Sequence, residues 1–286
     1  MRDCKLSDEF DYLLSNVQIR IWNENTKDEI INELISSAPV FEIEIKKSPS
    51  KKLILMRGDF QNNLDHAIKN SIINPTRTIV VAGIDRFSDL YISSKKGILR
   101  DLCKYIESEY NYGLTQMQQL VNKAKIDQLN HPDANQKMNY GDSILIKIPL
   151  FSDHDMKPMS PESNPHSFLQ LLLVANSQKK SDFAVTHDLD SVEGIDSREI
   201  ILHVFNRCMS LGSIADTVFI GAMGTNGLSF PYEVITAEIM NSYLYAVKMG
   251  SSPNNLVYSV RNEDMKKSGV TSQSIYNYVR NVVNFF

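Results

Sequence analysis

The run TRTIVVAGI at residues 76–84 sets the tightest limit on the fold. It is rich in β-branched side chains and never alternates with polar ones, as in a strand buried on both faces of a sheet. Such a strand needs helices above and below it, so strands and helices must alternate along the chain. KLILM (52–56), SILIKIPLF (143–151), HSFLQLLLVAN (166–176), TVFIGAM (217–223) and NLVYSV (255–260) read as further strands. FEIEI (41–45) alternates apolar with acidic residues, the pattern of a half-exposed strand.

Helical spacing appears between these runs. It is found in NNLDHAIKNSII (62–73), stopped by Asn74-Pro75, and in the long stretch 98–125, broken near Gly113. It returns in SREIILHVFNRCMSLG (197–212), with Ser197 as N-cap and Gly212 past the end, in residues 232–249, and in the closing SQSIYNYVRNVVNFF. Residues 1–45 read as a helical extension and 46–286 as one α/β domain with helices on both faces of a mixed sheet. Two polar connections, around 85–97 and 177–196, are longer than most loops, which marks them as candidates for function.

Composition narrows the class. A chain of 286 residues that is 42% hydrophobic and 22% charged supports a substantial core. A net charge of −4 and scattered lysine pairs argue against a nucleic-acid track. Cys4, Cys103 and Cys208 are too far apart for a disulfide framework or a zinc site, which fits a reducing compartment. The N-terminus lacks the apolar core of a signal peptide, and no apolar run is long enough to span a bilayer, so no membrane partner is expected. Asp153-His154-Asp155 and His187-Asp188 with Asp190, Glu193 and Asp196 contain metal-binding chemistry, but without helical i, i+4 spacing they read as solvated loops. No metal or cofactor is expected.

The stretch FIGAMGTNGLSF (219–230) carries the sharpest chemical signal. Gly221, Gly224 and Gly227 end a strand before a helix. Glycines there let backbone N–H groups approach an anion, with the helix N-terminus behind them. A tight turn without a ligand fits the same residues. The stretch is neither a P-loop nor a dinucleotide fingerprint.

Order along the chain sharpens the reading. A helix at 197–212, then TVFIGAMGTNGLSFP, then a helix resembles the last βα segment of macrodomains, the ADP-ribose-binding fold. The stretch is similar to Leu-Gly-Ala-x-Gly-Cys-Gly-x-Phe-Gly of the microbial poly(ADP-ribose)-glycohydrolase-type branch. Ile220, Gly221, Ala222, Gly224 and Pro231 match, and Thr225-Asn226 stands in place of Cys-Gly. Arg57-Gly58-Asp59-Phe60 resembles the Gly-Asp-Ile after an early macrodomain strand, and TIVVAGI the strand before the ribose loop. LCKYIESEYNY, ILIKIPLF and LLLVAN resemble later segments in the same order.

The resemblance implies a three-layer α/β/α macrodomain fold over about residues 52–250. It also implies a diphosphate held by Gly224, Thr225, Asn226 and Gly227, an adenine read by Asp59, and further ligand contacts from Phe60, Ala82, Gly83, Gly221, Leu228 and Phe230.

One departure bears on chemistry. Where that branch carries Gly-Gly-Gly and Gln-Glu-Glu, this chain has Ser88-Asp89-Leu90 and Ile98-Leu99-Arg100. The region offers Asp85, Asp89 and Asp101 instead. Asp101 reads as a helix-surface residue, whereas Asp85 and Asp89 lie where α/β folds place ligands and are the candidate catalytic pair. Carboxylates stabilise an oxocarbenium-like transition state or activate water. The replacement resembles that in macrodomain effectors of intracellular bacteria such as Legionella, some of which are similar to ADP-ribosylarginine hydrolases. The implied function is removal of mono-ADP-ribose from protein side chains, arginine first, with a non-catalytic ADP-ribose reader as the alternative. The implied partners are ADP-ribose and an ADP-ribosylated protein. The implied compartment is the cytoplasm, of the producing cell or of a host that receives the protein as a bacterial effector.

Overall fold

The computed structural model describes residues 40–45, 48–93, 97–149, 168–181, 184–186, 197–223, 231–261 and 272–285. The chain divides into two compact units, Met1–Pro39 and Val40–Phe286, and every described residue belongs to the second.

The strands are β1 (Val40–Glu44), β2 (Lys52–Arg57), β3 (Thr78–Asp85), β4 (Ser143–Pro149), β5 (Phe168–Ser181), β6 (Ala184–Thr186), β7 (Thr217–Gly221) and β8 (Asn255–Val260), all but β6 expected from the sequence. Their order in the sheet is β1-β2-β8-β7-β3-β5-β4, with β6 paired to β5 alone. The five inner strands from β2 to β5 run parallel, and β1, β4 and β6 are antiparallel to their neighbours. In β3 every residue but Gly83 is buried, as its unbroken apolar run predicts.

Helices α1 (Phe60–Lys69), α2 (Leu90–Ser93), α3 (Gly97–Tyr110), α4 (Leu114–Leu129), α5 (Ser197–Met209), α6 (Tyr232–Lys248) and α7 (Ser272–Phe285) supply the outer layers. Alternate positions of β3 separate two cores. Val80, Ala82 and Ile84 pack with α1, α3 and α4 through Leu64, Leu102 and Val121. Ile79 and Val81 pack with α5, α6 and α7 through Phe205, Ile239 and Val279. The fold is a three-layer α/β/α sandwich.

Three local expectations are corrected. The first helix ends at Lys69, short of Ile73, because the Asn70 amide donates to the His66 carbonyl at 2.9 Å and Ser71 turns left-handed at φ 57°. The connection expected at 177–196 begins as structure: β5 continues to Ser181 and pairs with β6. The residues of that ribbon are mostly polar and show no apolar alternation, so they gave no strand signal. Ser197 is the first residue of α5, not its cap.

Candidate functional site

The sheet parts at its centre. β3 pairs with β7 only through Thr78↔Thr217, Ile79↔Val218 and Val80↔Phe219. Both strands then continue, β3 to Asp85 and β7 to Gly221, held by their other neighbours, β5 and β8. The helix after β3 packs on one face of the sheet and the helix after β7 on the other. Adjacent parallel strands whose connections leave to opposite sides open a crevice at their carboxyl ends, the place where open α/β sheets bind ligands.

The connection leaving β3 is built around Asp85, which is wholly buried. Asp85 Oδ1 accepts from the Phe87 N–H at 2.7 Å, and Oδ2 accepts from the Asp89 N–H at 3.0 Å and from the Ser93 hydroxyl. Burial pushes its carboxyl above the ordinary range, and these hydrogen bonds oppose that shift. With three donors from its own loop, Asp85 folds the turn. Asp89, on that turn, is half-buried and opens α2, with its carbonyl accepting from the Ser93 N–H at 2.9 Å.

Two residues of α4 secure the turn from behind. The Lys125 ammonium donates to the carbonyls of Phe87, at 3.0 Å, and Ala134, at 2.8 Å. Its side chain is wholly buried, and desolvation lowers its pKa, with the charge of Asp85 opposing that. Gln118 bonds the Ser88 carbonyl and the Leu90 N–H. Met138 exchanges backbone and side-chain bonds with Arg86 at 2.8 Å each. Neither Gln118 nor Lys125 stood out as a site residue in the sequence. The one signal was that Lys125 falls on the apolar row of Met117, Val121 and Ala124, where a lysine needs internal acceptors.

Across the crevice, Gly221 ends β7, and its missing Cβ leaves room for Ile98 from α3 and for the Phe60 ring. Phe60 is itself core, edge-on to Phe219 with ring centroids 5.1 Å apart. Ala82 is also wholly buried in the α1–α3–α4 layer. Gly83 is half-buried, with the Asn176 amide lying against it. Asp59 occupies the N-cap position of α1 at the carboxyl end of β2; its side chain is exposed and makes no capping hydrogen bond. Tyr91, 49% exposed, is fixed by a 2.8 Å hydrogen bond to the Thr115 hydroxyl.

No protein-family model matches this chain, and no curated protein matches it. Solved structures do. A variant of the Oceanobacillus iheyensis macrodomain superposes with a TM-score of 0.51 at 8% identity, covering 85% of this chain and 99% of that one. The chain has the macrodomain fold. The Oceanobacillus macrodomain with ADP gives a TM-score of 0.47 at 12% identity, covering 85% and 98% of the two chains. The macrodomain of ganglioside-induced differentiation-associated protein 2 gives 0.41 at 12% identity, covering 81% and 91%.

Within this macrodomain fold the described structure brings Asp59, Gly221, Gly83, Asp85 and Asp89 to the carboxyl ends of β2, β7 and β3. Gly224, Thr225, Asn226, Gly227, Leu228 and Phe230 lie outside the described residues, as do both acidic–histidine clusters. Among the described residues no group of three or more His, Cys, Asp or Glu could hold a metal ion. No helix among them is long and apolar enough to cross a membrane.

Proposed function

We propose that this chain binds ADP-ribose across the crevice between β3 and β7 and removes it from modified protein side chains, arginine first. The observation that carries the reading is the parting of β3 and β7 after Val80↔Phe219, at a switch point of the macrodomain fold. In this reading the residues 224–227 hold the diphosphate and Asp59 meets the adenine amino group over β2. Gly83 and Gly221 stand beside the ligand at the ends of β3 and β7, with Asn176, Ile98 and Phe60 packed in the room their missing side chains leave.

The reacting bond joins ribose C1″ to a guanidine nitrogen. Asp89 is the carboxylate presented to it, and Asp85 is the positioning group that shapes the turn beneath. A water oxygen bonds to C1″ as the C1″–N bond breaks; Asp89 takes the water proton, the guanidinium of the substrate keeps the bonding electron pair and leaves as neutral guanidine, and Asp89 then returns the proton to it. A negative carboxylate beside a cationic leaving group and an oxocarbenium-like centre favours this linkage over an ester. The replacement of Gln-Glu-Glu by aspartates groups the chain with effector-type relatives of the microbial glycohydrolase branch, acting in a host cytoplasm.

A second reading, an ADP-ribose reader without catalysis, is favoured by the burial of Asp85, which leaves one carboxylate of the pair at the crevice. Calorimetry with ADP-ribose tests binding; no heat at millimolar ligand rejects both readings. Incubation with proteins ADP-ribosylated on arginine, glutamate or serine separates them. Release from arginine that Asp89→Ala abolishes supports the hydrolase, and binding without release from any linkage supports the reader.

A further inference from the structure

Helix α4 carries two side-chain amides that each imitate a peptide group. Gln118 accepts from the Leu90 N–H through Oε1 at 2.8 Å and donates to the Ser88 carbonyl through Nε2 at 2.9 Å. Gln128 makes the same pair of bonds to one residue of β4, accepting from the Leu145 N–H at 2.9 Å and donating to the Leu145 carbonyl at 2.7 Å. The two clamps share this pair of bonds; Gln118 is half-buried and Gln128 exposed, and they hold different segments. Gln128 holds a strand at the end of the sheet. Gln118 holds the two peptide groups on either side of Asp89.

The orientation of the Gln118 amide is determined by its partners. Nε2 also donates to Asn122 Oδ1 at 2.8 Å, so it faces two acceptors that only an N–H can satisfy. With Gln118 in place, the backbone around Asp89 has no slack. The Asp89 N–H is bound by Asp85, its carbonyl by the Ser93 N–H, and both flanking peptides by Gln118. Ser88, held in the left-handed region at φ 64°, would relax if released.

We infer that Gln118 is the positioning residue of Asp89, setting where its carboxylate stands in the crevice. The inference deepens the proposed function and rests on it. Misplacement of a reacting group by about 1 Å costs on the order of a hundredfold in rate, so losing the clamp should be felt at the ligand well before it is felt in the fold.

The two glutamines furnish their own control. Gln118→Ala and Gln128→Ala each remove a neutral amide clamp from the same helix, and the urea midpoint is expected to fall somewhat further in Gln118→Ala, which also loses the bond to Asn122. Turnover of an ADP-ribosylarginine protein is expected to fall at least about tenfold in Gln118→Ala alone, with affinity for ADP-ribose little changed. Gln118→Glu, which sets an anionic oxygen against the Ser88 carbonyl, should lose at least as much as Gln118→Ala. Equal turnover by wild type and both alanine variants overturns the inference and leaves the proposed function standing. Wild type that releases no ADP-ribose from arginine overturns the hydrolase reading, and the inference with it.

Discussion

The Asn176 side chain occupies the space that any Cβ at residue 83 would need. An ideal Cβ on Gly83 would stand 2.2 Å from Asn176 Nδ2 and 2.6 Å from its Cγ. The amide thus takes the place of the side chain that β3 lacks, on the stretch of strand that has already parted from β7.

Gly83→Ala must expel that amide, and overpacking of this kind costs about 1–3 kcal/mol. Introduced together with Asn176→Ala, the same substitution should cost much less. Urea unfolding of the two single variants and the double variant measures the coupling, and strictly additive losses would show that the two side chains do not compete.

Gly221→Ala meets Ile98 Cδ1 at 2.6 Å and Phe60 Cδ2 at 3.1 Å. Ile98→Val deletes the nearer of those atoms. The pair is therefore expected to recover at least half of the loss, about 1–2 kcal/mol, that Gly221→Ala causes alone. Denaturant midpoints check this. No recovery would place the obstruction at Phe60.

Asp85 confers a pH dependence whose sign follows from its burial. Its carboxyl holds a proton to higher pH in the folded chain than the ordinary value of 3.8. Its contribution to stability is therefore complete below pH 3.8 and is lost as the pH rises through the folded value. Asp85→Asn cannot ionise. The thermal midpoint of wild type relative to Asp85→Asn should decline as the pH is raised from 3.8 through the folded value, and a flat difference would contradict the assignment.

Lys125→Met leaves the carbonyls of Phe87 and Ala134 without their donor and removes a cation that the charge of Asp85 favours. The expected cost is about 3 kcal/mol, read from urea unfolding. Lys125→Arg should not restore it, because the bulkier, forked guanidinium has no room in a wholly buried site.

The sequence was most legible where one physical demand controlled a whole segment. β3, β7 and β8 are buried on both faces, so nearly every side chain in them had to be apolar. The pairing of β6 with the far end of β5 left no periodic trace in the sequence. The aspartates show the same limit at the site. Asp85 and Asp89 read alike as loop acids. What separates them is a hydroxyl from Ser93, the turn's own N–H groups, and a lysine packed against that turn from α4. Gln118 and Gln128 were equally indistinct, because a polar residue on a helix does not reveal which backbone it will reach.

Among the described residues three ladder rungs join the sheet's two halves, β1-β2-β8-β7 and β3-β5-β4, against five or more in each neighbouring parallel ladder, and the Arg77–Asp216 backbone bond and ion pair close the seam just before the first rung. A molecule lodged in the gap beyond the third rung would touch both halves and act as a rivet, so occupancy would show as resistance to being pulled or melted apart. Thr78, Ile79 and Val80 hold the seam closed at one end, and what the crevice admits determines how firmly it is closed at the other.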